Sequence, residues 1–252
     1  MRFILAIACL FPFAAMGADN LDAIRARGVL RVGTTGDYQP FTTRAPDGTY
    51  SGADITMAQR LGDSLGVRVE FVPTVWARLL PDFEAGKFDI AMGGVSVTPA
   101  RAAVATFSTV TYVDGKRPVV RCADKDRLTS VVAIDQPGIR VVVNPGASNE
   151  AFARENMTHA KLTVHRDNTT VFDEIREGRA DVMVTDGIEV DHQALVHPEL
   201  CAAQVAAPFT RLEKAYMLQR DPALVEAVNT WLAQEISSGA WPQILNAAQR
   251  NP

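Results

Sequence analysis

Short β-branched runs alternate with helix-period stretches along this chain, and the whole alternation occurs twice. Nothing else in the sequence restricts the fold as much. Parallel strands need a long crossover, usually a helix, so strand–helix–strand series imply α/β units with largely parallel sheets. In the first series, 29–32 reads as a strand that ends in a polar turn at Gly33. A helix follows over 53–65, with Ile55, Met57, Ala58, Leu61 and Leu65 on one face. Then come a strand at 67–72, a helix at 78–85 stopped by Gly86, and a strand at 88–92. Thr98 and Pro99 have the character of an N-cap and a first helical position. The second series has strands at 119–121, 139–143, 162–164 and 180–184, with helices at 150–156, 171–176 and 187–195. One more strand is expected at 214–218, then an amphipathic helix at 222–235 carrying Leu224, Val228 and Leu232. A last helix holds Trp241, Ile244 and Leu245.

Two such series suggest two lobes: 19–114 with 211–252 as the first, and 115–210 as the second. Two strands would cross between them and leave a hinged cleft for a small ligand. The 252 residues, 47% hydrophobic and 21% charged, suffice for two cores. With a net charge of −4 and no Lys/Arg run, nothing points to nucleic acid. Residues 1–18 read as a signal peptide: Met1 and Arg2, an apolar stretch over 3–13, then small residues through Ala18. That stretch is too short for a membrane span, and an exported protein is expected. Without Cys9, two cysteines remain, Cys122 and Cys201, and an oxidising compartment favours a structural disulfide over two buried thiols. The four histidines (His159, His165, His192, His197) lack metal-ligand spacing, so no metal is expected.

Glu189 is the candidate with the sharpest chemistry. It lies three residues after Asp186, where the apolar run 180–184 passes into a polar turn. A carboxylate at such a strand end faces the crevice where open α/β sheets bind ligands. Buried there, it could hold a proton near neutral pH and donate it. The alternative is a solvated acid on the first turn of the next helix, favoured by the helix dipole.

Gly28-Val29-Leu30-Arg31-Val32-Gly33-Thr34-Thr35-Gly36-Asp37-Tyr38-Gln39-Pro40-Phe41 resembles the opening of the periplasmic solute-binding proteins for polar amino acids. Gly86-Lys87-Phe88-Asp89-Ile90-Ala91-Met92 and Thr98-Pro99-Ala100-Arg101 resemble the same family. Asp135-Gln136-Pro137-Gly138, Val143-Asn144-Pro145-Gly146 with Asn149-Glu150, Thr185-Asp186-Gly187-Ile188-Glu189 and Val196-His197-Pro198-Glu199-Leu200-Cys201 are similar to the cyclohexadienyl dehydratases. The resemblance implies the type II periplasmic binding protein fold, with each lobe a mostly parallel sheet flanked by helices. It also implies a periplasmic enzyme that converts prephenate to phenylpyruvate and arogenate to phenylalanine, without a cofactor. Two positions depart from the pattern. Gly52-Ala53-Asp54-Ile55-Thr56 stands where the family usually has Gly-Phe-Asp-Val-Asp, and Ala147 stands where a second glycine is usual.

By that resemblance Glu189 is the proton donor, and Lys116 falls on a lysine near the lobe crossing. Lys116 would add positive charge beside the departing carboxylate, or else be an exposed hinge lysine. Arg101 at its helix start would clamp a carboxylate. Asn144 and the backbone N–H groups of Ala147, Ser148 and Asn149 would form a second anion site, or an ordinary helix cap. Trp76 offers a flat wall for a ring, or core packing. Asp37 would bond polar substrate groups or stabilise its turn. Asp186 falls where amino-acid binders hold an ammonium group. Tyr38 and Phe41 are expected to line the cleft. A non-catalytic amino-acid receptor would share fold, leader and cleft, so Glu189 is the residue that discriminates.

Overall fold

The computed structural model describes residues 20–146 and 148–250. The expected leader over 1–18 and the expected ligand position Ala147 lie outside the described residues.

Two five-stranded sheets organise the molecule, one in each lobe. The first has the order Arg68–Pro73, Val29–Thr34, Ile90–Ala91, Met217–Leu218, Thr106–Phe107. The second has the order Lys161–Val164, Arg140–Val143, Val182–Asp186, Lys116–Arg121, Leu200–Ala202. In each sheet a single strand runs against the rest: Met217–Leu218 in the first and Lys116–Arg121 in the second. Each reversed strand is the one the chain enters just after crossing between lobes. The crossing is an antiparallel pair, Tyr112–Asp114 with Leu212–Lys214, in which Lys214 faces Tyr112 and Leu212 faces Asp114.

The single strand expected at 214–218 is therefore two. Lys214 belongs to the crossing and Met217 to the first sheet. The link between them bonds elsewhere, Ala215 N to Val95 O (3.1 Å) and Tyr216 N to Ser108 Oγ (3.0 Å). The strand expected at 88–92 narrows to Ile90–Ala91, and the helix expected at 171–176 to Asp173–Arg176. A helix at Asn20–Arg27 and a small sheet of Asp37–Tyr38, Thr42–Arg44 and Tyr50–Ser51 were not foreseen.

Packing follows the side-chain periods. Val141 and Val143 face one core with Val182, Val184 and Ala153, whereas Val142 and Met183 face the opposite one with Ile175 and Val190. Strands buried on both faces read as continuous valine runs for this reason. In the first lobe Leu30 and Val32 pack with Met57 and Leu61 of the helix Ala53–Leu65 and with Leu224, Val228 and Leu232 of the helix Pro222–Ser237. Cys122 and Cys201 form the expected disulfide, with Cα atoms 4.8 Å apart, beside the paired strands Lys116–Arg121 and Leu200–Ala202. Gly146 lies against the backbone of Ala77. Its φ is 73°, and a Cβ there would lie 2.5 Å from Ala77 Cα, so only glycine fits this turn.

Candidate active site

The strand Val182–Asp186 ends at the cleft, and Asp186 is the N-cap of the helix Gly187–Val196. That helix start is satisfied by another acid. Asp114, on the crossing, accepts from Gly187 N at 3.1 Å and Ile188 N at 3.0 Å. Glu189, one residue further on, is free of capping work and turns inward. Only 3% of it is exposed, so it is not a solvated helix-start acid. The Thr185 hydroxyl donates to its Oε2. Asn149 Nδ2 donates in turn to Thr185 Oγ1 and to Asn144 Oδ1, both at 3.0 Å. Burial pushes the Glu189 pKa up to about 8. The Thr185 hydrogen bond and the ammonium groups of Lys116 and Lys214 oppose that rise, and the Asp186 charge adds to it.

Asp186 is the hub. Its Oδ1 accepts from Lys116 Nζ at 2.7 Å, and its Oδ2 accepts from Lys214 Nζ at 2.7 Å and Tyr38 Oη at 2.6 Å. Burial alone would raise its pKa, but the two lysines beside it hold the carboxyl well below the ordinary carboxylate range. Lys116 is buried, not an exposed hinge residue, and also donates to Ser148 Oγ (3.0 Å) and Asn149 Oδ1. Burial lowers its pKa, against the pull of Asp186. Lys214 donates further to Gly94 O and Ser96 Oγ, with its ammonium 4.8 Å from the Tyr38 ring centre.

Across the cleft, Thr98 caps the short helix Pro99–Ala102 as expected. Arg101 is 8% exposed, donates to Ser96 O at 2.8 Å and lies 5.6 Å from the Trp76 ring centre. Among the described residues no carboxylate pairs with it. Burial lowers its pKa to about 10, with Asp186 opposing, so at neutral pH it remains a cation seeking an anion. Trp76 stands edge-on to Tyr38 at 5.7 Å.

Trp76, Arg101, Asn144, Ser148, Asn149, Asp186 and Glu189 thus line one cavity, and Lys116 reaches it through Asp186. Asp37 does not line it. It lies in an adjoining cavity, half-buried. The free space in the first cavity is about 20 Å³, room for a water molecule, so a larger ligand enters by parting the lobes. Of the side chains that line it, Arg101 is a cation without a carboxylate partner, Asp186 is an anion already paired with Lys116 and Lys214, and Glu189 is neutral below about pH 8.

Residues 30–248 match the bacterial extracellular solute-binding proteins, family 3. The chain belongs to this family. It is 46% identical over 238 residues to the cyclohexadienyl dehydratase of Pseudomonas aeruginosa, covering 93% of this chain and 89% of that one. To the L-cystine-binding protein of Escherichia coli it is 27% identical over 221 residues, 87% of this chain and 82% of that one. Among solved structures, an ancestral amino-acid-binding protein described as a precursor of cyclohexadienyl dehydratase overlays with TM-score 0.83 at 35% identity, covering 91% and 99% of the two chains. An ancestral cyclohexadienyl dehydratase overlays with TM-score 0.58 at 49% identity, covering 93% and 98%. The resemblance to the dehydratases seen in short motifs therefore runs along most of the chain. No helix among the described residues is long and apolar enough to cross a membrane.

Sequence reading missed Lys214 and Thr185. Each carried a faint signal: a lysine beside the apolar Ala215, Tyr216 and Met217, and a hydroxyl at the end of a valine-rich strand.

Proposed function

We propose that this protein is an exported dehydratase that converts prephenate to phenylpyruvate and arogenate to phenylalanine. One observation carries the reading: Glu189, buried so that its pKa is pushed up to about 8, lines the same cavity as Arg101, a buried cation with no carboxylate partner among the described residues. A receptor for a zwitterion gains nothing from that acid, and it would bear the cost of burying it. Prephenate is a dianion that must lose a hydroxyl group, so both features serve it.

Glu189 is the acid. Asn149 occupies a lone pair of the Thr185 hydroxyl, whose hydrogen points at Glu189 Oε2. A neutral Glu189 therefore carries its proton on Oε1. That proton goes to the ring hydroxyl as the C–O bond breaks. The ring carboxylate departs as carbon dioxide, and the electron pair of the breaking C–C bond aromatises the ring. Arg101 holds one carboxylate, Asn144, Ser148 and Asn149 form the second anchor with the Lys116 ammonium behind them, bonded to Ser148 and Asn149, and Trp76 flanks the ring. Asp186 keeps Lys116 and Lys214 charged and in place. Acid catalysis of this kind contributes about 10²–10⁴-fold, and positioning supplies much of the rest.

The residues needed span both lobes, which we place at 19–114 with 211–252 and at 115–210. We place the mature protein in the periplasm, after removal of 1–18. The alternative, an amino-acid receptor, would need Asp186 to hold the ligand's ammonium, but both of its oxygens already take protein donors. The deciding assay follows phenylpyruvate from prephenate with purified mature protein against an enzyme-free control. Turnover is expected. A folded protein that gives none but binds amino acids in calorimetry would overturn the reading.

A further inference from the structure

Loss of the hydroxyl group as water consumes one proton per turnover. The dianion becomes phenylpyruvate monoanion, carbon dioxide and water, and Glu189 is left as a carboxylate. The acid must then recover a proton from solvent before it can act again, and while the lobes stay shut it can do so only by a path other than the main cleft.

The adjoining cavity, of about 240 Å³, provides a way. Two residues, Asn168 and Glu189, line both it and the substrate cavity, so Glu189 forms part of the wall between them. Its lining also includes Arg44 and Thr169, both exposed to solvent. Three side chains of its lining, Asp37, Asn168 and Gln193, each hold a buried oxygen with no hydrogen-bond partner among the described residues, closed off from water in this shut form. Gln193 is 7% exposed and lies one helical turn from Glu189, on the same face. Orphaned buried acceptors are costly unless they receive donors, and water supplies them. Turned toward the cavity that they line together with Glu189, these three side chains would order water in it.

We propose that this second cavity is the route by which Glu189 is reprotonated, with Gln193, Asn168 and Asp37 as positioning residues for the water that carries the proton. The inference rests on the dehydratase reading. It adds that the acid is used from one side and reset from the other.

Two variants test it. Gln193→Leu removes the polar group one helical turn from Glu189. Thr169→Trp fills the cavity from an exposed lining position, where folding is not at risk. Both are compared with wild type by rapid mixing with prephenate and by steady-state turnover. Glu189 arrives protonated, so the first turnover should keep the wild-type rate. Later turnovers should slow by at least about tenfold, giving a product burst of about one per site. First turnover and steady state falling together in both variants would mean a structural effect and overturn the proposal. Unchanged steady state in Thr169→Trp would overturn it too, because the proton then returns through the opened main cleft. If the wild type itself makes no phenylpyruvate, the dehydratase reading has failed, and that result is distinct from all of these.

Discussion

Replacing Glu189 by Gln should make the protein more stable as it makes it inactive, and by an amount that depends on pH. Burial pushes the carboxyl from an ordinary 4.5 to about 8. Between those values the native protein keeps a proton that the unfolded chain has released. Stability therefore falls with rising pH across that window and levels off above about 8. Each pKa unit is worth about 1.4 kcal/mol, so the total is about 5 kcal/mol. Gln does not titrate, matches the shape and still accepts the Thr185 hydrogen bond. The stability difference, mutant minus wild type, should therefore grow by about 5 kcal/mol in the mutant's favour from pH 4.5 to 9. Other titrating groups are common to both proteins and cancel. Urea unfolding of both at several pH values across this range measures the difference directly. A difference that stays flat with pH would mean that Glu189 is ionised in the native protein, and the acid assigned to it would not exist there.

The same proton sets activity: kcat/KM should be level below about pH 8 and fall tenfold per unit above it, a profile read from initial rates. Lys214→Met leaves Asp186 short of one ammonium partner and should cost about 3–5 kcal/mol in urea unfolding, because a buried charge is left undercompensated. Arg101→Lys keeps the charge but loses the planar fork, so KM for prephenate should rise about tenfold with kcat little changed. Cys122→Ser opens a loop of 79 residues and should lower stability by about 4–5 kcal/mol while leaving kcat unchanged.

Elements governed by local chemistry were legible in the sequence. The helix Ala53–Leu65 shows its apolar face at the right spacing, and Thr98 and Pro99 announce the start of Pro99–Ala102. The small sheet at Asp37–Tyr38, Thr42–Arg44 and Tyr50–Ser51 was not legible, because strands of two or three residues are shorter than any period. Lys214 was read as part of a strand because its role depends on partners from distant parts of the chain: Asp186, Gly94 and Ser96. Burial of a lysine is a tertiary fact. Asp37 shows a second way in which position along the chain underdetermines place. Its side chain was expected to bond polar substrate groups or to stabilise its turn, but neighbouring residues of a strand face opposite ways, so Tyr38 lines the first cavity and Asp37 the adjoining one. Glu189 itself was ambiguous, since the same position suits a dipole-stabilised surface acid. Asp114, 75 positions earlier in the chain, settles it by capping the helix in its stead.

The lobes are held together by the protein's own side chains. Tyr38 and Lys214 bond Asp186, Asn168 bonds the Asp37 carbonyl oxygen, and His192 meets Gln39. An occupant shifts the balance between open and shut only by the affinity it adds to the shut form. A latch supplied from within makes shape a poor report of cargo. For a courier that must announce its load to a membrane partner, that is a fault, because a shut molecule no longer means a full one. For a catalyst it is an advantage, since no message is being sent and time spent shut is time with the acid shielded from water.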